Sequence, residues 1–251
     1  MFIFPTPSSN QEQLEVLFPY DEQFLENRNR QVEKQTAVLE LFTSQGCSSC
    51  PPADEQLNRV ISQANAGLLE VVALSFHVDY WDRLGWKDPF SKVEFSNRQR
   101  MYRPKFGGRI YTPQLVINGE YQLVGSQPGP WSELKQALKT PVTNKVFLDD
   151  LQKEDGKLSV AYKLEGDFAG WELHVALVLK QHTQQVKAGE NRGRTLLGNN
   201  IVREFTTLLP DRSGEGRVSF PFSNYQSMDD YGVIAYLQHP VSLEIRGAAE
   251  V

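Results

Sequence analysis

The feature that most constrains this chain is a pair of cysteines three positions apart, the only two in 251 residues. They lie in the segment Gln45-Gly46-Cys47-Ser48-Ser49-Cys50-Pro51-Pro52. The apolar run at 37–42 predicts a buried strand before the pair, and residues 54–66 predict a helix after it. A Cys-x-x-Cys pair at a strand-to-helix junction, in a chain without further cysteines, is typical of a thiol–disulfide exchange site.

The spacing of the cysteines favours a reversible bond over a structural one. Residues i and i+3 at a helix start lie about 5–6 Å apart, and a disulfide tolerates Cα separations of about 4.4–6.8 Å. The ring is small, so it stabilises a fold by less than the roughly 3 kcal/mol expected for a 15-residue loop. Unpaired N–H groups at a helix N-terminus stabilise a thiolate. We therefore predict that Cys47 attacks and that Cys50 resolves the mixed disulfide.

Composition and motifs exclude several functions. The net charge of −5 argues against a nucleic-acid partner, and no segment is apolar for long enough to span a bilayer. The sequence contains no phosphate-binding, dinucleotide-binding or nucleophile-elbow motif, so no cofactor is predicted. Residues 1–5 are too short for the apolar region of a signal peptide. Taken by itself, this beginning predicts a cytosolic protein.

Hydrophobic patterns predict an N-terminal extension and two domains. Residues 1–35 are polar, with a short helix over 21–34. Residues 36–142 alternate as strand, helix, strand, helix, strand, strand and helix, which is the thioredoxin-like order of a mixed sheet with helices on both faces. Within this region a helix is predicted to begin at Asp88-Pro89 and to run to Met101, and strands over 114–117 and 121–124 flank the hairpin signal Asn118-Gly119-Glu120. Residues 143–251 predict a smaller antiparallel β-sandwich domain, with short strands separated by Gly- and Asn-rich turns. The strands predicted in that domain cover 157–164, 171–180, 203–209, 216–222 and 232–238.

Four long motifs carry a resemblance to a known family. They are the cysteine segment 39–54, the segment Ser75-Phe76-His77-Val78-Asp79-Tyr80-Trp81 and its continuation to residue 90, the segment 111–119, and Gly189-Glu190-Asn191-Arg192-Gly193-Arg194-Thr195-Leu196. Together they resemble the DUF1223 proteins of proteobacteria, from about residue 37 to nearly the end of the chain. The resemblance implies a thioredoxin-like fold and a redox site, but no substrate. Many relatives look exported, which implies the periplasm, and the extension 1–35 stands where an export signal would lie.

Two further features near the cysteines are candidates for the chemistry. Thr112 and Pro113 match the position of the cis-proline loop of thioredoxin-like proteins, where an extended substrate pairs with the backbone. The alternative is a trans proline that starts a strand. Glu40 shares a strand face with Val38 and Phe42 and is a candidate to accept the proton of Cys50. Its alternative role is pairing with a basic residue.

His77 follows the second strand, at the sheet end where α/β proteins place their sites. It is a candidate to stabilise the Cys47 thiolate, or to serve as a third metal ligand beside Cys47 and Cys50. Its alternative role is to hold the loop that follows it through backbone hydrogen bonds.

The loop after His77 is rich in aromatic side chains. Tyr80, Trp81 and Trp86 are predicted either to line an apolar substrate groove beside Cys47 or to anchor their loop on the core. Further along the chain, an arginine pair at 192 and 194 is predicted to form a salt bridge between the two domains.

These residues support three functional hypotheses. The favoured one is a thiol–disulfide oxidoreductase in which Cys47 and Cys50 act on a thiol or disulfide partner, protein or small molecule, in a direction left open. The second is a metal-handling protein that holds Cu(I) or zinc through the two cysteines and His77. The third is a thioredoxin-like binding module whose cysteines do not turn over and whose β domain recruits a partner.

Overall fold

The computed structural model describes residues 36–127, 131–139, 143–223 and 226–251. The polar extension and the helix predicted over 21–34 lie outside these ranges. Among the described helices, none combines the length and the apolar character that a membrane crossing requires.

The described ranges contain three α-helices and eleven β-strands. In chain order they are β1 (Ala37–Thr43), α1 (Pro51–Asn65), β2 (Val71–His77), α2 (Val93–Met101), β3 (Gln114–Ile117), β4 (Tyr121–Val124), α3 (Trp131–Ala137), β5 (Asn144–Glu154), β6 (Lys157–Gly166), β7 (Glu172–Gln185), β8 (Thr195–Leu208), β9 (Glu215–Pro221), β10 (Tyr231–Gln238) and β11 (Ile245–Glu250). Two short 3₁₀ turns lie at Asp82–Leu84 and Met228–Asp230.

Eight strands form one mixed sheet in the order β11-β10-β7-β8-β2-β1-β3-β4. At its centre β1 runs parallel to β2 and antiparallel to β3. The other sheet is antiparallel, in the order β5-β6-β9. The predicted mixed α/β class and the smaller antiparallel sheet are therefore confirmed.

The strands after residue 143 differ from a separate sandwich, because β7, β8, β10 and β11 extend the sheet built by β1 to β4. The connection is a short parallel contact between β2 and β8, at Ser75 and Ile201. The physical reason lies in β10, which is buried along its whole length. Ile234 and Tyr236 enter one apolar core, while Val233 enters the other. A strand with two apolar faces needs a layer on each side. The domain boundary predicted near residue 142 stays a prediction.

The two cores lie on opposite faces of the large sheet. One contains Phe42, Phe76 and Phe95, and so joins β1 and β2 to α2. The other fills the space between β7, β10 and the smaller sheet. Helix α1 packs on the face of β1 opposite to α2, because Leu41 lies beside Ala53 of α1.

The boundaries of the two main helices differ from those predicted. Helix α1 begins at Pro51 rather than residue 54, since prolines at the first helical positions remove N–H groups that would be unpaired there. Helix α2 begins at Val93 rather than residue 88. The Asp88 carboxylate instead accepts hydrogen bonds from the N–H groups of Gln45 and Phe90, so it stabilises a loop.

The β3–β4 hairpin is confirmed with its predicted bounds. Its turn residues Asn118 and Gly119 both have positive φ, 49° and 65°, as the central residues of a type I′ turn require, and the N–H of Glu120 donates to the carbonyl of Ile117. A Cβ at Gly119 would also collide with the carbonyl of Leu243. The weakly patterned strands β5 and β11 were not predicted from the sequence.

Candidate functional site

Cys47 and Cys50 form a disulfide, with 5.4 Å between their Cα atoms. Cys50 is the N-cap residue of α1, directly after the turn that follows β1. The pair therefore lies at the strand-to-helix junction that the sequence predicted. Both cysteines are 0% exposed. A substrate reaches either sulfur only after part of the cover over them moves.

A chain of hydrogen bonds ends on the sulfur of Cys47. The Thr112 hydroxyl donates to Cys47 Sγ at 3.3 Å, and Trp81 Nε1 donates to Thr112 Oγ1 at 2.7 Å. The Ser49 hydroxyl also lies 3.3 Å from Cys47 Sγ. The Thr112–Pro113 peptide bond is cis, which confirms that prediction. The role in substrate pairing stays a prediction.

His77 lies at the same end of the sheet as the cysteine turn, because it pairs with Thr43 at the C-terminal ends of the parallel strands β1 and β2. Its Nδ1 is 2.7 Å from Asp88 Oδ2. Asp88 in turn accepts the N–H of Gln45 at 2.8 Å. His77 is thus linked through Asp88 to the turn that carries Cys47, and it holds the surrounding loops together.

The charges of this pair follow from its surroundings. Burial alone would lower the pKa of His77. The charge and hydrogen bond of Asp88 raise it by more than burial lowers it, so the pKa lies above its ordinary value. Burial raises the pKa of Asp88, but the His77 interaction outweighs it, so the pKa is lowered. The two shifts together favour an ion pair.

Asp54 is the acidic group that sequence reasoning missed. Burial raises its pKa to about 7, and the opposing effects of His77 and the Thr43 hydroxyl offset that rise only in part. The residue as a whole is partly exposed. The available clue was its position four residues after Cys50, which places both side chains on one face of α1.

Glu40 lies in a different environment from the one predicted. It is fully buried and accepts hydrogen bonds from Arg98, Tyr102 and Tyr236. The Arg98 guanidinium also stacks over the ring of Phe205, 4.7 Å from its centroid. These contacts match the alternative of a carboxylate paired with a basic residue.

The face of the sheet explains this difference. Glu40 and Phe42 share a strand face, as predicted, and Phe42 packs against Tyr102, which follows α2. The intervening residue Leu41 faces α1 instead. The carboxylate of Glu40 therefore points away from the helix that Cys50 caps, which does not suit proton transfer to Cys50.

The aromatic loop is tied to the cysteine turn. Trp86 Nε1 donates to Gln45 Oε1 at 3.1 Å, and the Cβ of Trp81 lies against Gly46. The Tyr80 hydroxyl donates to Gln99 Oε1 at 3.2 Å. These contacts are those of the anchoring alternative, and the substrate groove predicted for the three aromatic residues stays a prediction.

The loop between β7 and β8 also contacts the cysteine turn, which sequence reasoning did not foresee. Asn191 Nδ2 donates to the carbonyls of Gln45 and Cys47, at 2.9 and 2.8 Å. Glu190 Oε2 accepts the N–H of Ser48 at 2.9 Å. Within the loop, Arg194 donates to Asn191 Oδ1 rather than to the predicted carboxylate partner. The clue in the sequence was the motif at 189–196 itself.

In the part of the chain that the structure describes, no three Cys, His, Asp or Glu side chains converge in a way that would hold a metal ion. The three residues proposed as ligands are engaged elsewhere. Cys47 and Cys50 are bonded to each other, and His77 Nδ1 bonds to Asp88.

Comparisons with known proteins place this site within a family. No curated protein matches the chain. A crystal structure of a protein from Agrobacterium tumefaciens is similar, with a TM-score of 0.65 and 28% identity over 87% of this chain and 95% of that one. A domain of the outer membrane lipoprotein Omp28 from Porphyromonas gingivalis gives a TM-score of only 0.27. At 13% identity over 44% of this chain and 87% of that one, it is too distant to bear on function. The model of the family described as "Protein of unknown function (DUF1223)" matches residues 38–238, and the chain therefore belongs to the DUF1223 family.

Proposed function

We propose that the protein is a thiol–disulfide oxidoreductase whose thioredoxin-like region, residues 36–142, acts on a thiol or disulfide partner through Cys47 and Cys50. The observation that carries the proposal is a disulfide between cysteines three positions apart at the N-terminus of α1, where the Thr112 hydroxyl donates to Cys47 Sγ. A helix N-terminus and a hydroxyl donor both stabilise a thiolate at that sulfur.

In the reducing direction, the Cys47 thiolate attacks one sulfur of a substrate disulfide. A bond forms between Cys47 and that sulfur, the substrate's own S–S bond breaks, and the departing sulfur takes up a proton. Cys50 then loses its proton and attacks Cys47 Sγ. The Cys47–Cys50 bond forms and the second substrate sulfur leaves as a thiolate. Two electrons pass to the substrate, and the oxidising direction is the same sequence reversed.

Asp54 takes the proton of Cys50 in the second step. A general base works best when its pKa lies near the operating pH, and the pKa of Asp54 is about 7. The carboxyl lies one helical turn after Cys50, on the same face of α1. This role replaces the one predicted for Glu40.

The His77–Asp88 pair acts by position rather than by proton transfer. Asp88 bonds to the N–H of Gln45, two residues before Cys47. The pair therefore fixes the start of the cysteine turn, while Trp81 fixes the hydroxyl of Thr112. The first contact fixes the backbone of the cysteine turn. The second fixes the Thr112 hydroxyl, which donates to Cys47 Sγ.

One observation favours the second candidate, a binding module without redox turnover. Both cysteines are fully covered in the disulfide state. A module of this kind would keep its disulfide closed in the presence of physiological thiols, and the β-rich region 143–251 would supply its partner surface.

The test is to trap the mixed disulfide. In Cys50→Ser the resolving thiol is absent, so a protein or glutathione partner should stay bonded to Cys47 and appear as an added mass under non-reducing conditions. Cys47→Ser should trap nothing and should lose turnover with insulin or glutathione disulfide. Ser213→Ala, at an exposed turn far along the chain, is the control for handling. Equal turnover in Cys47→Ser and the unaltered protein would overturn the proposal.

A further inference from the structure

The peptide unit between Cys47 and Ser48 is held at both of its ends by adjacent side chains. Its carbonyl accepts from Asn191 Nδ2 at 2.8 Å, and its N–H donates to Glu190 Oε2 at 2.9 Å. Asn191 Nδ2 also donates to the carbonyl of Gln45. Two neighbouring residues of the β7–β8 loop thus fix the orientation of the backbone that carries the first cysteine.

The loop that makes these contacts is itself well ordered by hydrogen bonds. Asn191 is only 1% exposed, and Arg194 donates to its Oδ1. The base of the loop is closed by two backbone bonds, from the N–H of Gly193 to the carbonyl of Val186 and from the N–H of Val186 to the carbonyl of Arg194. Asn191 cannot rotate without losing three hydrogen bonds, so it holds Glu190 in place against Ser48.

The charge of Glu190 opposes the effect of the helix N-terminus. A positive helix end favours a thiolate, whereas a nearby carboxylate disfavours one and competes for the same N–H donors. The bond to Ser48 lowers the pKa of Glu190, which favours its charged form. Other charged groups close to the cysteine turn or the loop are Asp88, which accepts the N–H of Gln45 and pairs with His77, Arg194, which donates to Asn191, and Asp54, one helical turn after Cys50.

We propose that Glu190 and Asn191 are positioning residues that make the Cys47–Cys50 disulfide harder to reduce, because the Glu190 carboxylate disfavours the Cys47 thiolate. The inference rests on the proposed function and sharpens it. A dithiol whose thiolate is disfavoured gives up its electrons more readily, so the pair acts as a reductant of partner disulfides. An external dithiol must then restore the reduced form.

The experiment equilibrates the folded protein with reduced and oxidised glutathione or dithiothreitol at pH 8. The free thiols are then alkylated, and the fraction of reduced protein is measured by mass spectrometry. Glu190→Gln keeps an acceptor for the Ser48 N–H and removes only the charge. It should shift the equilibrium constant about two- to fivefold toward the reduced form, the size expected of one exposed charge at a helix end. Glu215→Gln, an exposed carboxylate on β9, is the matched control and should shift nothing.

Two further measurements separate charge from structure. In a Cys50→Ser background, the pH profile of Cys47 alkylation should move to lower pH when Glu190→Gln is added. Raising the salt concentration should shift the unaltered protein in the same direction, and Glu190→Gln much less, because salt screens exposed charges. Asn191→Ala should shift the redox equilibrium of the cysteine pair in the same direction as Glu190→Gln. If Asn191→Ala does not fold, Glu190→Gln alone decides.

The outcomes distinguish this inference from the proposed function. A disulfide that stays closed in every redox buffer while the protein is folded would overturn both. An unaltered protein that reduces and reoxidises, with a Glu190→Gln equilibrium constant equal to that of the control, would overturn this inference and leave the proposed function standing.

Discussion

Two acidic side chains on opposite faces of the large sheet have opposite surroundings. Glu40, on the α2 face, is enclosed by the donors of Arg98, Tyr102 and Tyr236. Asp54, on the α1 face, forms no salt bridge with any residue that the structure describes, and the nearby His77 is already bonded to Asp88. Glu40 is held in an ion pair by Arg98, whereas burial raises the pKa of Asp54 to about 7. Burial alone therefore does not make a carboxylate a proton acceptor; the number of donors around it decides.

We expect the largest loss of stability from a substitution on the α2 face. Arg98→Met would leave the buried Glu40 carboxylate without its cation, and removing one partner of a buried pair costs about 3–5 kcal/mol. Urea unfolding at pH 7 should show a loss of free energy of unfolding of that size. The double variant Glu40→Gln with Arg98→Met should recover a large part of it, since no uncompensated charge is left. A loss below about 1 kcal/mol in the single variant, well short of the range for a buried pair, would contradict this account of the network.

A smaller effect of opposite sign is expected for Asp54. Its pKa is raised in the folded protein, so its contribution to stability is fully present below its unfolded pKa and is lost as the pH rises through about 7. Asp54→Asn should therefore stabilise the oxidised protein at pH 8, by about 1–3 kcal/mol after allowance for its partial exposure. Unfolding curves at pH 5 and pH 8 check this. At pH 5 the gain should be smaller, and a gain independent of pH would argue against a raised pKa.

The same variant tests the proposed chemistry. If Asp54 accepts the proton of Cys50, then Asp54→Asn should slow the release of a mixed disulfide at Cys47 by about 10²-fold or more, the lower end of general-base effects. Stopped-flow release of a fluorescent thiol measures that step. Glu215→Gln, the exposed carboxylate on β9, serves as the control, because Glu55 lies close enough to Asp54 to raise its pKa.

The smallest of the three stability effects is expected at His77. Its pKa is raised in the folded state, so its contribution is present below the unfolded pKa and is lost as the pH rises through the folded value. His77→Asn should destabilise by about 1–2 kcal/mol at pH 5.5 and by less at pH 9. Thermal unfolding across that range measures the difference. A larger loss at pH 9 than at pH 5.5 would reverse the sign and refute the ion pair.

Local patterns in the sequence predicted the parts of the site that are local in the chain. The strand-to-helix junction at Cys47 and the hairpin at Asn118 and Gly119 each depend on neighbouring residues. The cis peptide before Pro113 was predicted instead from its position in the expected order of strands and helices. The side of the sheet that α1 covers depends instead on the handedness of the crossover to β2. The side that α1 covers determines whether Glu40 faces the cysteines. The alternation of side chains along β1 does not show which side that is.

The long-range contacts could not be predicted in the same way. Asn191 meets Cys47 across 144 positions of sequence, and β8 joins β2 through one pair of residues. No periodicity encodes such a meeting. The pKa of Asp54 likewise depends on the atoms that pack around it rather than on its neighbours in the chain. The sequence therefore located the sulfurs, while the structure was needed to identify what surrounds them.

The most direct test of the central claim is the redox equilibrium of the unaltered protein. The folded, oxidised protein is equilibrated in a series of glutathione buffers. Free thiols of the Cys47–Cys50 pair are then alkylated, and the reduced fraction is measured by mass spectrometry. We predict that the pair opens and recloses reversibly, with a potential within the roughly −270 to −120 mV spanned by thiol–disulfide oxidoreductases. A disulfide that opens only when the protein unfolds would contradict it.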